Sequence, residues 1–214
     1  VKEYRYSDVP YYFLKSFFES KYGKSLDLII KDEVFSKIRA TSLTYNPRDY
    51  YPKDKIVPSE IDSYFRNAKL QGFVHDMGAA MQGGIGGHAG LFGNSEDIAK
   101  IMHLFLSKGK FGDNEIFSSS NFDLFNKRHF KGNRRGIGFD KRQLDKEIKS
   151  ACECVSDESF GHSGFTGTYA WADPEDNLIY VFLSNRTFPS MENKKLIENN
   201  IRTEVHALIK NSLN

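Results

Sequence analysis

The sequence predicts an α+β fold, an antiparallel sheet flanked by helices. Three observations carry this. Apolar residues recur at helical spacing near both ends of the chain. Two apolar runs, Tyr169–Ala172 and Leu178–Leu183, flank the polar turn Pro174-Glu175-Asp176-Asn177 and so make a hairpin. Strands and helices also lack the regular βαβ alternation of a doubly wound parallel sheet.

The elements follow in order. Asp8 is placed to cap a first helix, and Pro10 sits in the turn that tolerates proline. Phe13, Leu14, Phe17 and Phe18 follow at helical spacing, and Gly23 is the stop. Ser25 caps a short second helix with Leu26, Ile29, Ile30 and Val34 inward, so residues 1–36 form an αα unit. Pro47, Pro52 and Pro58 break residues 40–65 into a long surface loop that packs through Tyr45, Tyr50 and Tyr51. The glycine-rich stretch Gly83–Phe92 has no Gly-Lys-Ser/Thr ending and no strand before it, so it reads as a tight connection rather than a phosphate cradle. It leads into a helix capped by Asn94, with Ile98, Ile101, Met102 and Phe105 buried and Gly109 as its end. A short helix is expected over Ser119–Asn126 and a strand over Arg135–Asp140. After the hairpin, an amphipathic helix runs from Lys194 to about Ser212 with Ile197, Ile201, Val205 and Leu208 inward. Residues 1–130 are thus mainly helix and loop, and residues 131–214 sheet plus terminal helix.

Composition excludes several classes of function. With 30 basic against 28 acidic residues, no field favours nucleic acid. No apolar run is long enough to span a membrane. Val1-Lys2-Glu3-Tyr4-Arg5 lacks the apolar core of a signal peptide. Cys152 and Cys154 stand two apart; a bridge across one strand face is strained, so both are expected as free thiols. The 18 Phe and 11 Tyr predict a ring-rich core.

The densest functional signal is Phe160-Gly161-His162-Ser163-Gly164-Phe165-Thr166-Gly167-Thr168, a glycine-studded strand entering the hairpin. Glycine weakens a strand, and in one it marks close approach by a ligand or another backbone. Far upstream, Tyr6-Ser7-Asp8 opens a helix. A Tyr-x-Asn/Asp triplet followed much later by Lys/His-Thr/Ser-Gly resembles the serine β-lactamase and penicillin-binding-protein superfamily. Its class C and DD-peptidase-related branch matches best. The Gly83–Phe92 segment and the Phe160–Thr168 strand are similar to the same branch, including modules carried behind some family 3 β-N-acetylglucosaminidases.

That resemblance implies a partial β-lactamase/DD-peptidase-like fold over nearly the whole chain. It implies serine-hydrolase chemistry on amides or esters, plausibly cell-wall peptides, outside the cytoplasm. By position, Tyr6 matches the tyrosine general base or acid, and Asp8 the third triplet residue that bonds a lysine or the substrate amide. His162 stands in for the usual lysine, Ser163 offers a hydroxyl to the substrate carboxylate, Gly164 admits the substrate backbone, and Phe165 lends its N–H to an oxyanion hole. Each has a plainer reading beside it: Tyr6 as packing, Asp8 as a cap, His162 as an ordinary strand histidine. The superfamily's Ser-x-x-Lys nucleophile is not matched. The string Ser107-Lys108-Gly109-Lys110 falls at a helix end, where a surface turn is expected. The chain by itself is therefore expected to be inactive, with the upstream part of the same polypeptide as its partner; an exposed apolar sheet would make a homodimer the alternative. No cofactor is implied. His75, Asp76 and His88 have no known ligand spacing, so no metal is assigned to them and they are expected as buried anchors for the glycine-rich turns. A non-catalytic binding module is the second reading, and a glycosidase using Asp76 and Asp140 a third.

Overall fold

A computed structural model of the chain describes residues 4–144 and 151–213, which divide into two compact units. The first unit holds Val1–Asp97 and Asn185–Glu192; the second holds Ile98–Ser184 and Asn193–Asn214.

In the first unit, helices α1 (Val9–Tyr22) and α2 (Leu26–Ile30) form the expected αα pair, and Gly23 ends α1 in a left-handed conformation. Asp8 stands at the N-cap, but its carboxylate makes no capping bond. Its backbone is already helical (φ −83°, ψ −21°), whereas a capping side chain needs an extended one. The Ser7 hydroxyl accepts the Val9 N–H instead, at 3.3 Å. α1 buries none of its residues: Phe13, Leu14, Phe17 and Phe18 are all exposed, Phe13 at 72%. Burial falls on Ile29, Phe35 and Ile38.

The expected loop over residues 40–65 is only partly a loop. Pro47–Asp49 and Lys53–Lys55 are single 3-10 turns, and Pro58–Asp62 is a strand, β1, paired antiparallel with β2 (Ala68–Gln71). Of the three tyrosines, only Tyr45 is buried. A charge lies under this ribbon. Asp62 accepts the N–H groups of Tyr64, Phe65 and Arg66 and the Arg66 guanidinium at 2.9 Å. Burial works to raise its carboxyl, but those donors outweigh it and hold the group at about 2. Arg66 also donates to the carbonyls of Val74 and His75, fixing the approach to α3 (Met77–Met81). Helix α4 (Ser95–Leu106) begins as expected, with Asn94 Oδ1 accepting the Asp97 N–H.

In the second unit, α4 ends at Leu106 and leads to the ribbon β3 (Lys110–Phe111) and β4 (Asn114–Glu115), then to α5 (Ser119–Asn126). Ser107–Gly109 lies past the end of α4 in a turn, with Lys108 and Gly109 at positive φ, and Lys110 opens β3. The main sheet follows the order β5-β6-β7-β8, with β5 Asp140–Lys141, β6 Phe160–Ser163, β7 Tyr169–Asp173 and β8 Leu178–Phe182. The expected strand over residues 135–140 shrinks to its last residue. Gly136 N–H bonds back to Phe139 O, and Gly138 takes φ 82°, which turns the chain away from extension. Phe160 and Ala172 cluster with Phe122 and Met102, and Phe139 packs against them. Tyr169, Trp171 and Tyr180 cluster with Ala151, Cys152 and Val155.

The two cysteines are bridged, not free: Cys152–Cys154, S–S 2.04 Å. Residues 153 and 154 form a turn rather than a strand, which brings the Cα atoms to 5.1 Å, inside disulfide range.

The terminal helix is broken. α6 (Lys195–Glu198) stops at Asn199, Asn200 adopts φ 51°, and α7 (Ile201–Asn211) starts afresh. The break resets the helical phase. Ile197, Ile201 and Leu208 are exposed, Thr203 and His206 are buried, and Val205, Ala207 and Ile209 pack on the tyrosine–tryptophan cluster. His206 Nδ1 lies 3.3 Å from Tyr169 Oη, and burial pushes the imidazole down to about 4. The unfolded chain therefore takes up this proton first. The contribution is complete above about pH 6.5 and lost as pH falls toward 4, on the order of 3 kcal/mol. His206→Phe is expected to flatten that part of the pH dependence, read from urea unfolding at pH 7 and pH 4.5.

Candidate active site

Strand β6 pairs with β7 along its full length, His162 opposite Ala170 and Ser163 opposite Tyr169. On its other side β5 reaches only Phe160 and Gly161. The edge at His162 and Ser163 is not paired by β5, so an extended backbone can add there. Gly161 is a packing requirement: a Cβ there would strike the Trp171 ring and the Ala170 carbonyl. At Gly164 the space belongs to the Thr168 hydroxyl. Gly164–Gly167 is the turn into β7, closed by Gly167 N–H to Gly164 O at 3.1 Å, and it carries Phe165, 61% exposed. From α7, Arg202 donates to the carbonyls of Gly164 and Thr168 and braces that turn.

Beside the strand stands a chain of polar groups that the sequence reading missed. Arg134 donates to Asp140 at 2.6 and 3.2 Å, and Arg135 Nε lies 3.5 Å from the same buried carboxylate. Arg135 Nη1 is 2.7 Å from His162 Nε2, and His162 Nδ1 is 2.8 Å from Ser163 O. A guanidinium only donates, so His162 Nε2 accepts, and the ring proton sits on Nδ1, donated to Ser163 O. His162 is neutral. Burial pushes it below its ordinary value and Arg135 adds to that, against the pull of the Ser163 carbonyl. The fixed cation beside the strand is Arg135, and it bonds His162, the residue the resemblance puts in the lysine's place. Both guanidiniums thus face the Asp140 carboxylate beside β6. An adjacent arginine pair just before Gly136-Ile137-Gly138 was the available signal.

In the first unit, the opening of α1 meets the glycine-rich segment. Tyr6 is 63% exposed. Asp76 accepts the Ala79 N–H at 2.7 Å, capping α3, and lies 2.8 Å from His88 Nε2. Burial works to raise the Asp76 carboxyl, but the Ala79 N–H and His88 hold it below the ordinary range. The Tyr12 ring lies 4.9 Å from the His88 ring. Desolvation, with Asp76 and Asp8 behind it, pushes the Tyr12 hydroxyl up. Of the expected buried anchors, the His88 side chain is buried and bonds the Asp76 carboxylate, while Asp76 is partly exposed and caps α3. His75 instead finds a side chain, the Glu60 carboxylate at 3.1 Å. Asp76 and Asp140, the pair a glycosidase would need, are engaged by His88 and Arg134 respectively.

A Beta-lactamase family model matches residues 2–203. Among curated proteins, the "Putative D-alanyl-D-alanine carboxypeptidase" of Escherichia coli K12 is 30% identical over 194 residues, covering 85% of this chain and 44% of that protein. The N-acetylmuramyl-L-alanine amidase of Bacillus subtilis is 30% identical over the same shares. Among solved structures, a β-lactamase from Mycobacterium bovis aligns with TM-score 0.59 and 17% identity, over 90% of this chain and 63% of that one. A penicillin-binding protein from Bacillus halodurans aligns with TM-score 0.59 and 13% identity, over 94% and 57%. The chain spans about half the length of the curated relatives it matches.

Proposed function

The chain belongs to the Beta-lactamase family, and on that premise we propose that it forms part of a serine hydrolase that cleaves cell-wall peptides ending in a free carboxylate. The observation that carries this reading is the edge of β6 at His162 and Ser163, left uncovered by β5 and flanked by the Arg135 cation. Such an edge takes an extended acyl peptide, and the cation takes its carboxylate. One relative's name supplies the substrate class, a D-alanyl-D-alanine terminus.

On this reading Ser163 donates its hydroxyl to the carboxylate, and neutral His162 orients Arg135 toward it. The Gly164 backbone lies against the substrate, and the Phe165 N–H faces the developing oxyanion. Tyr6 serves as general base or acid, a role for which a tyrosine hydroxyl needs a nearby cation. Asp8 bonds the substrate amide. The nucleophilic serine comes from outside these 214 residues. The greater length of the relatives and the turn at Ser107–Gly109 support that assignment. The same upstream segment then covers the exposed apolar residues of α1. Cell-wall chemistry and the Cys152–Cys154 bridge both fit a periplasmic or extracellular site.

The test has two arms. The 214-residue chain is expected to show no nitrocefin turnover; turnover would overturn the external nucleophile. An intact protein with an upstream Ser-x-x-Lys is expected to label covalently with fluorescent penicillin, and failure to label would overturn the acyl-enzyme. If the intact protein carries no such motif, the binding-module reading replaces the enzyme.

A further inference from the structure

We propose that a cavity beside helix α2 binds the head group of a primary alkylammonium ion. Neither the family match nor the proposed hydrolysis assigns such a site, and the inference does not depend on that reading.

The cavity holds about 90 Å³, and Asp27, Lys31, Phe35, Tyr45, Tyr50 and Tyr51 are among the residues that line it. All of them belong to the first unit. Tyr45 is buried on the inner side, while Tyr50 and Tyr51 are exposed, at 58% and 38%, which leaves the cavity open to solvent.

One acid stands among these rings, and its needs are not met from within. Asp27 Oδ1 is buried without a hydrogen-bond partner among the described residues. An acceptor left in that state costs free energy until a donor reaches it. The donors around it are committed elsewhere. Tyr45 gives its hydroxyl proton to Gly86 O at 3.2 Å, and Tyr51 gives its own to Thr41 O at 3.2 Å. Thr44, also in the lining, donates to Tyr45 O at 2.8 Å. Burial pushes the Tyr45 hydroxyl up to about 12, and Asp27 adds to the push, so that proton stays in place.

A second observation points to a cation. Lys31 is the one basic residue in the lining, and its ammonium lies 5.9 Å from the centroid of the Tyr50 ring, within reach of a cation–π contact. It forms no ion pair with Asp27 among the described residues. The rim thus already carries an ammonium on an aromatic face, and the carboxylate is left without one.

The class of ligand follows. A carboxylate with tyrosine faces around it attracts a positive charge. Its lone acceptor oxygen calls for an N–H, which a primary ammonium brings and a quaternary one lacks. The apolar Phe35 and Leu43 in the same wall suit an alkyl stem. Calcium and magnesium need several oxygen ligands, and one carboxylate does not supply them.

Titration of the chain with n-butylammonium chloride, followed by NMR on the tyrosine ring signals, tests the site against tetramethylammonium chloride and sodium chloride at equal ionic strength. We expect saturable shifts with butylammonium and binding of tetramethylammonium at least ~10-fold weaker. Asp27→Asn should weaken butylammonium binding at least ~10-fold, the scale of a lost hydrogen bond to a charged group. Asp27 Oδ1 makes no hydrogen bond, so the fold is expected to survive the change, as circular dichroism would show. Tyr50→Leu, at an exposed ring, gives an independent loss of about threefold. Asp113→Asn, at an exposed carboxylate between β3 and β4, should bind as wild type. Undiminished binding by Asp27→Asn, equal binding of the two organic cations, or no saturable binding by the wild-type chain overturns the proposal.

Discussion

Arg135→Ala is expected to weaken binding of a carboxylate-terminated acyl peptide by some thirtyfold or more at pH 8. Arg135 is half-buried and donates to His162 at 2.7 Å, so its guanidinium is held against the strand edge. Removing one partner of such a charge pair costs roughly 2 kcal/mol or more. The same change acts on His162. Burial still depresses the imidazole, but the cation that lowers it further is gone, and Nε2 loses its donor. Its folded-state pKa therefore rises toward the ordinary 6.5. Below that value the ring takes up a proton and replaces part of the lost charge. The loss should shrink as pH falls from 8 in the variant, while wild-type binding should change less over the same range. Titration of the His162 ring by NMR, alongside peptide affinity over that range, decides it. Unchanged His162 titration, with an equal loss at every pH, would mean that Arg135 contributes nothing through the ring.

Trp171→Ala is expected to destabilise the second unit by about 3–5 kcal/mol, the range for deleting a large buried ring. Trp171 is 1% exposed and lies stacked on Tyr169 at 5.5 Å between ring centroids. It also fills the space that Gly161 leaves open across the β6–β7 pair. Because Gly161 precedes His162, the loss should loosen the site as well as the core. Urea unfolding monitored by far-UV circular dichroism reads the stability. A cost under ~1 kcal/mol would show that the cluster closes over the gap. Trp171→Phe keeps a ring there and should recover more than half of the loss.

Much of this was legible before any coordinates. The hairpin at Pro174–Asn177 came from two apolar runs around a four-residue polar turn, both local signals. Helices α1 and α4 came from apolar residues at helical spacing with glycine stops, signals that act within a few turns of chain. The family came from the order of Tyr6-Ser7-Asp8 and His162-Ser163-Gly164 with the glycine-rich segment between them. The errors share another character. Residues 135–139 read as a strand because Ile137 and Phe139 alternate with glycine, yet Gly138 at positive φ turns the chain. Cys152 and Cys154 read as free because a strand was assumed where a turn lies. In the last helix Val205 faces the core as expected, but Ile197, Ile201 and Leu208 are exposed, and the left-handed Asn200 parts Ile197 from the residues of α7.

Sequence by itself determined the fold class, the family and the strand that holds the candidate site, since these depend on local periodicity and short motifs. Tertiary structure decided the charge and protonation of the groups around them. That His162 is neutral depends on its burial and on Arg135, far from it in the chain, and that Asp8 lies near Asp76 and His88 depends on how α1 meets the glycine-rich turns. Proton positions and ligand sets follow distances of a few ångströms between residues that the chain keeps far apart, and only folding brings them together.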